Sequence, residues 1–121
     1  MGVLERKSFE TPDEVRIPYE KGRVDVVNTG KWPVKRVNLE PGWRWMDQTR
    51  PVVGTDLCEV SHVKFFLHGR FGVRMRDGTE MEFGPGEIGV IDPGHDAWVV
   101  GDEPCAFVDF AEVVRQASRQ T

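Results

Sequence analysis

The most constraining feature of the chain is a pair of alternating segments between Phe71 and Phe83. Apolar residues occupy the odd positions, and charged residues occupy most even positions, on both sides of Asp77-Gly78. A period of two is typical of β-strands, and Asp-Gly is a strong hairpin signal. The apolar side chains share one face only if the loop holds an odd number of residues. We therefore predict a three-residue loop in which Gly78 is left-handed and forms a bulge.

Turn-forming residues recur along the chain, which contains 13 Gly and 8 Pro. Further strands are predicted over 23–27, 34–39, 57–66, 87–91, 97–100 and 105–110. Strands at roughly 8–12-residue spacing indicate an all-β sandwich or barrel. We expect a single domain over 1–121 with a core barrel at about 23–110. Residues 46–55 are predicted to be a loop, and 111–121 a short helix or frayed tail. The remaining segment, 1–20, lacks periodicity and is predicted to be an N-terminal arm that packs on the barrel or on a second subunit.

Composition excludes several classes of partner. The net charge of −4 and the pI of about 5.4 argue against nucleic-acid binding. No apolar run approaches the roughly 20 residues that cross a membrane, and residues 1–10 lack the apolar segment of a secretory signal. Two Cys in 121 residues do not make a disulfide framework. We expect a cytoplasmic protein with no membrane and no nucleic-acid partner.

Two segments carry a family resemblance. They read Phe65-Phe-Leu-His-Gly69-Arg-Phe-Gly-Val and Gly84-Pro-Gly86-Glu-Ile-Gly-Val-Ile-Asp-Pro93-Gly94. The first resembles the end of the first motif of the cupin superfamily, and the second resembles the opening of its second motif. The resemblance covers roughly residues 39–110, most of the chain. It implies a jelly-roll β-barrel with one open end, often a homodimer, and often with a metal inside.

The resemblance also implies a metal-ligand set. Counting back from Gly69, the positions of the first three cupin ligands are Asp56, Cys58 and His62, which share strand parity. The fourth ligand position falls on Ala97, which cannot bind a metal. His95 lies two residues earlier with the same parity and is the candidate replacement.

One thiolate and two imidazoles, with a carboxylate as a fourth ligand, suit Zn²⁺ or Fe²⁺, and the thiolate favours Zn²⁺. The alternative is a decayed site, in which Cys58 is a small buried hydrophobe and His62 makes only hydrogen bonds. His68 adjoins the turn at Gly69 and is predicted to lie on the surface. Cys105 is predicted to belong to the core.

A ligand pocket is the second prediction about the site. Trp98 follows the second polar cluster and is predicted to line an apolar pocket. Asp96 either orients His95 or is a turn carboxylate. Trp43 and Trp45 are assigned to ordinary core packing.

Two functions remain open from the sequence. The first is a small-molecule-binding cupin with a divalent metal; as an enzyme it would be an oxygenase or isomerase, by analogy alone. The second is a metal-free ligand-binding or sensor module with an aromatic pocket. A structural dimer with no small-molecule role is a third, blander alternative.

Overall fold

Antiparallel strands form two sheets in residues 2–111 and 115, the part of the chain that the computed structural model describes. The strands are β1 (Glu14–Arg16), β2 (Gly22–Asn28), β3 (Pro33–Leu39), β4 (His62–His68), β5 (Arg70–Met75), β6 (Glu80–Phe83), β7 (Ile88–Ile91), β8 (His95–Val100) and β9 (Cys105–Asp109). The larger sheet has the order β1-β2-β3-β9-β4-β7, and the smaller sheet has the order β6-β5-β8. The all-β architecture predicted from the sequence is confirmed.

The core lies between the two sheets and is rich in aromatic rings. Phe66 is fully buried and stacks on Phe83 at 5.2 Å between ring centroids. It also contacts Phe71 and Phe107, each with ring centroids 5.6 Å away. These residues come from β4, β5, β6 and β9, so one cluster of rings joins the two sheets.

The β5–β6 hairpin has the predicted loop. Arg74 lies opposite Glu80, and the Met75 amide donates to the Thr79 carbonyl. Residues 76–78 therefore form a three-residue loop, and Gly78 has a φ of +93°. Met81 lies on the predicted apolar face, beside Val73 and Phe83, but it is 60% exposed. Its strand is at the edge of the smaller sheet, where no further strand covers it.

The segment before β4 differs from its prediction. The expected strand over 57–66 begins only at His62, and within 54–61 just Cys58 makes a β-bridge. The expected loop over 46–55 instead contains a π-helical turn, Trp45–Thr49, followed by helix α1, Arg50–Val53. Pro51 is compatible with this helix because its first turn needs no amide donor there. Gly54, with a φ of +87°, ends it.

The N-terminal arm packs on its own larger sheet: residues 9–10 contact the face away from the cavity, and Tyr19 lines the cavity beside Trp43. Strand β1 pairs with β2, and Arg36 of β3 bonds to the Glu10 carboxylate and to the Phe9 carbonyl. The arm covers Asp25, which is 1% exposed and bonded to Arg36. The tail predicted over 111–121 lies largely outside the described residues. Within the described part of the chain, no helix is long and apolar enough to cross a membrane.

Candidate metal centre and cavity

Three ligand-capable side chains converge at one point of the barrel. One donor atom each from Cys58, His62 and His95 lies within 4.8 Å of the other two. The Cys58 Sγ and the His62 Nε2 are 3.7 Å apart, and the two imidazole centroids are 5.5 Å apart. The chain brings these side chains together although they come from three separate segments.

Backbone hydrogen bonds hold two of these segments in register. The Cys58 amide donates to the His95 carbonyl at 2.8 Å, and the Gly94 amide donates to the Cys58 carbonyl at 2.7 Å. This isolated bridge fixes Cys58 beside the first residue of β8. His62 is the first residue of β4, so all three candidate ligands lie where strands begin or are bridged.

Each imidazole is oriented through its Nδ1. The His62 Nδ1 lies 2.9 Å from the Asp109 Oδ2, and the His95 Nδ1 lies 2.8 Å from the Asp92 carbonyl oxygen. A carbonyl or carboxylate oxygen only accepts, so Nδ1 donates in both cases. The lone pair of each neutral ring is then on Nε2, which is the arrangement common to histidines that bind metals.

Burial keeps both imidazoles neutral at pH 7. It lowers the pKa of His95 to about 4, and it lowers the pKa of His62, with Lys64 adding to the effect. Burial raises the pKa of the Cys58 thiol, so a metal would have to displace its proton. Burial alone would raise the pKa of Asp109, but the hydrogen bond from His62 and the charge of Lys64 lower it to about 2.

The donor set fits a zinc-type site. Tetrahedral Zn²⁺ with ordinary Zn–S and Zn–N lengths places sulfur and nitrogen about 3.6 Å apart, and the Cys58–His62 distance is 3.7 Å. Three protein ligands with one open position is the pattern of catalytic zinc sites. Both histidines also have the outer hydrogen bonds that such ligands require.

Asp56 is not part of this cluster, which corrects the sequence prediction. Its side chain is 94% exposed and pairs with Arg50 at 3.0 Å. The prediction assumed a continuous strand from Asp56 to His62, with alternate residues facing one side. The chain over 54–61 is irregular, so parity does not carry over from His62 to Asp56.

A cavity of about 580 Å³ lies between the sheets, and the cluster forms part of its wall. Its apolar lining includes Trp43, Trp45, Phe71 and Phe107. The first two are each 4% exposed, as expected of core residues, yet they also line the cavity.

The predicted pocket residues Trp98 and Asp96 lie elsewhere, which is a second correction. Along β8 the buried positions are His95, Ala97 and Val99, so the even-numbered side chains point to the other face. The Trp98 indole packs over Gly72 of β5, where a β-carbon would collide with it. The Asp96 carboxylate accepts a hydrogen bond from its neighbouring amide, and its partial burial raises its pKa.

Lys64 is a cavity residue that the sequence reasoning missed. It is 5% exposed, and its Nζ lies 4.5 Å from the ring centroid of Phe71 and 4.1 Å from that of Phe107. Burial lowers the pKa of this amine. Lys64 shares strand parity with His62 and with Phe66, and this parity was the available signal that it faces inward.

The other predicted positions agree with the structure. His68 is exposed at the end of β4. Cys105 is completely buried, and its burial raises the pKa of its thiol to about 11. Asp109, the partner of His62, had no distinguishing signal in the sequence.

Two antiparallel sheets packed around a cavity have the architecture of a cupin-type fold. Among known proteins, no family model matches the chain, and no curated protein matches it.

Solved structures do match. A polyketide cyclase, RemF from Streptomyces resistomycificus, is 19% identical over 88% of this chain and 78% of its own, with a TM-score of 0.63. A sugar phosphate isomerase from Silicibacter pomeroyi, which is named as a cupin superfamily protein, is 20% identical over 74% of this chain and 58% of its own, with a TM-score of 0.54. A cupin-2 domain from Rhodospirillum rubrum is 16% identical over 88% of this chain and 65% of its own, with a TM-score of 0.54. The cupin resemblance is therefore confirmed at the level of the fold.

Proposed function

We propose that this chain is a small-molecule-binding cupin that holds a divalent metal, Zn²⁺ in preference to Fe²⁺, through Cys58, His62 and His95. The observation that carries the proposal is the convergence of these three donors within 4.8 Å, with both Nδ1 atoms already hydrogen-bonded. A bound metal would supply Lewis-acid polarisation of a ligand atom in the adjoining cavity.

The chain's own residues would prepare the ligand for that chemistry. The aromatic walls of the cavity exclude water and bind the apolar body of a ligand. Asp109 fixes the orientation of His62, and the Asp92 carbonyl fixes that of His95. The aromatic lining favours a planar apolar ligand over a sugar phosphate, the substrate class in the name of one neighbour.

The second candidate is a metal-free binding or sensor module. The observation in its favour is the aromatic cavity, which can recognise an apolar ligand without any metal. The two candidates make opposite predictions for metal content, so one measurement separates them.

Elemental analysis after dialysis against Zn²⁺ is that measurement. We expect about one equivalent of zinc per chain, with a marked loss in Cys58→Ser and in His62→Ala. The matched controls are Cys105→Ala and His68→Ala, which remove a buried thiol and an exposed imidazole outside the cluster. Both controls should retain the zinc. Wild-type zinc below about a tenth of an equivalent, or full occupancy in both cluster variants, would contradict the metal proposal.

A further inference from the structure

We infer that the ligand of this cavity carries an anionic oxygen, as in an aromatic carboxylate, and that this oxygen binds Lys64. The inference rests on the proposed role of the cavity as a small-molecule site. It does not require the metal.

The burial of Lys64 without a polar partner is the first observation. Lysine is rarely buried unless it is paired, because an unpaired amine loses its hydration. At 5% exposure, the Nζ of Lys64 lies over the rings of Phe71 and Phe107. Among the described residues, no carboxylate oxygen lies within ion-pair distance of this nitrogen, and no hydrogen-bond acceptor does. Its donors therefore remain available inside the cavity.

The negative charge nearest to Lys64, the Asp109 carboxylate, already accepts hydrogen bonds from other groups. Asp109 lies directly across the β-ladder from Lys64, and from Lys35 on its other side. Its Oδ2 accepts from the His62 Nδ1, and its Oδ1 accepts from the Ala111 amide. The Asp109 carboxylate thus lies between two lysines, and both of its oxygens accept hydrogen bonds from other groups. The Lys35–Asp109–Lys64 row therefore carries one negative charge for two amines and can accommodate another.

A second donor without a partner belongs to a residue of the cavity wall. The Trp43 Nε1 is buried and has no hydrogen-bond partner among the described residues. The Trp43 ring stacks on Phe71, with centroids 6.0 Å apart, and Phe71 also contacts the Lys64 amine. Two donors beside aromatic walls match a ligand with a planar apolar body and acceptor oxygens.

The amine donates hydrogen bonds whether or not it carries its extra proton, so the recognition does not depend on a particular charge state. An anionic oxygen is nevertheless its best partner, because the Asp109 carboxylate is shared with His62 and does not bond to the Lys64 amine. A neutral amide of the same shape could accept a hydrogen bond from the amine or the indole, but it would bring no negative charge to the lysine.

The test compares 2-naphthoate with 2-naphthamide, which has the same shape and no charge. Binding of each is measured by calorimetry on metal-free protein, so that the carboxylate cannot bind zinc instead of Lys64. We expect naphthoate to bind at least about tenfold more tightly than the amide. Lys64→Met should abolish this preference. Lys31→Met, which removes an exposed lysine in the β2–β3 turn, should leave it unchanged.

Equal affinities in the wild type, or a preference that survives in Lys64→Met, would overturn the inference. So would failure of both probes, and of benzoate, to bind more tightly than about 1 mM. Circular dichroism checks the fold of each variant, and Lys64→Gln provides the same comparison if Lys64→Met does not fold.

Zinc binding is measured separately on the same proteins, which distinguishes the two proposals. A protein that binds no zinc but shows the Lys64-dependent preference refutes the metal site and supports the anion site. A protein that binds zinc but shows no preference does the reverse.

Discussion

Replacing Asp109 with asparagine removes one negative charge from the cavity wall and keeps the size of the side chain. In the wild type, the Asp109 Oδ2 accepts from the His62 Nδ1 at 2.9 Å and holds the His62 Nε2 beside the Cys58 Sγ. Outer hydrogen bonds of this kind account for about 10–100-fold in metal affinity, which corresponds to about 1.4–2.7 kcal/mol. We expect Asp109→Asn to weaken zinc binding by this factor.

The same substitution should lower the stability of the metal-free protein. The pKa of Asp109 is lowered from 3.8 to about 2, and the side chain is 11% exposed. A shift of this size is worth about 2 kcal/mol, present above the ordinary pKa and lost as the pH falls through about 2. Asp109→Asn lacks that contribution, so its unfolding free energy should depend less on pH in the acid range.

Asp25→Asn is the matched control, because Asp25 is also a little-exposed carboxylate, 1% exposed against 11% for Asp109, and lies on the opposite side of the larger sheet. It bonds to Arg23 and Arg36 and does not line the cavity. Chelator competition measures zinc affinity, and urea titration measures the free energy of unfolding. Both variants should be destabilised, but only Asp109→Asn should lose zinc affinity. A folded Asp109→Asn protein with affinity within about twofold of the wild type would refute the orienting role of Asp109.

Three further predictions concern the fold. Phe66→Ala should lower the free energy of unfolding by about 3–5 kcal/mol in urea titrations, and a loss below about 1 kcal/mol would contradict its central place in the core. Gly69→Ala should cost more stability than Gly78→Ala: both glycines have positive φ, but only at Gly69 would a β-carbon collide with the Pro104 carbonyl. Equal thermal shifts would argue against this. The homodimer expected from the resemblance should dissociate in Val90→Lys, since Val90 is 72% exposed on the edge strand β7; a monomeric wild type in light scattering would exclude it.

Local sequence signals predicted the parts of the fold that local interactions determine. The β5–β6 hairpin depends on alternation and on a glycine with positive φ, and both are visible in sequence. The helical segment 45–53 was missed because it is too short to show a helical period. It also contains Pro51, which is common in loops and is tolerated in the first turn of a helix.

The candidate ligands were predicted partly for a reason that the structure does not support. Parity along one strand was the basis for grouping Asp56, Cys58 and His62, but the strand begins at His62. Cys58 reaches the cluster through its backbone bridge to His95, whereas Asp56 has no such bridge and points to solvent. Such a bridge joins residues 37 positions apart, and nothing in the local sequence indicates it.

The role of Asp109 could not be predicted from the sequence either, because it too depends on a contact between distant residues. It orients His62 because β9 lies between β3 and β4 in the larger sheet. That strand order is a property of the whole topology, so a residue 47 positions from His62 has no local mark of its role. Lys64 is different, because its parity with His62 was visible in the sequence but was not used to predict that its side chain faces inward.

The use of His95 in place of position 97 as the candidate ligand changes where the metal centre would lie. Ala97 and His95 face the same side of β8, two residues apart, which corresponds to about 7 Å along the strand. Using His95 therefore moves the candidate metal centre to the first residue of β8, where the bridge supplies Cys58 as its neighbour. The small Ala97 side chain then lines the cavity at the position that the cupin resemblance assigns to a histidine. The space that an imidazole would fill at this position therefore belongs to the cavity, whose wall also includes aromatic rings and Lys64.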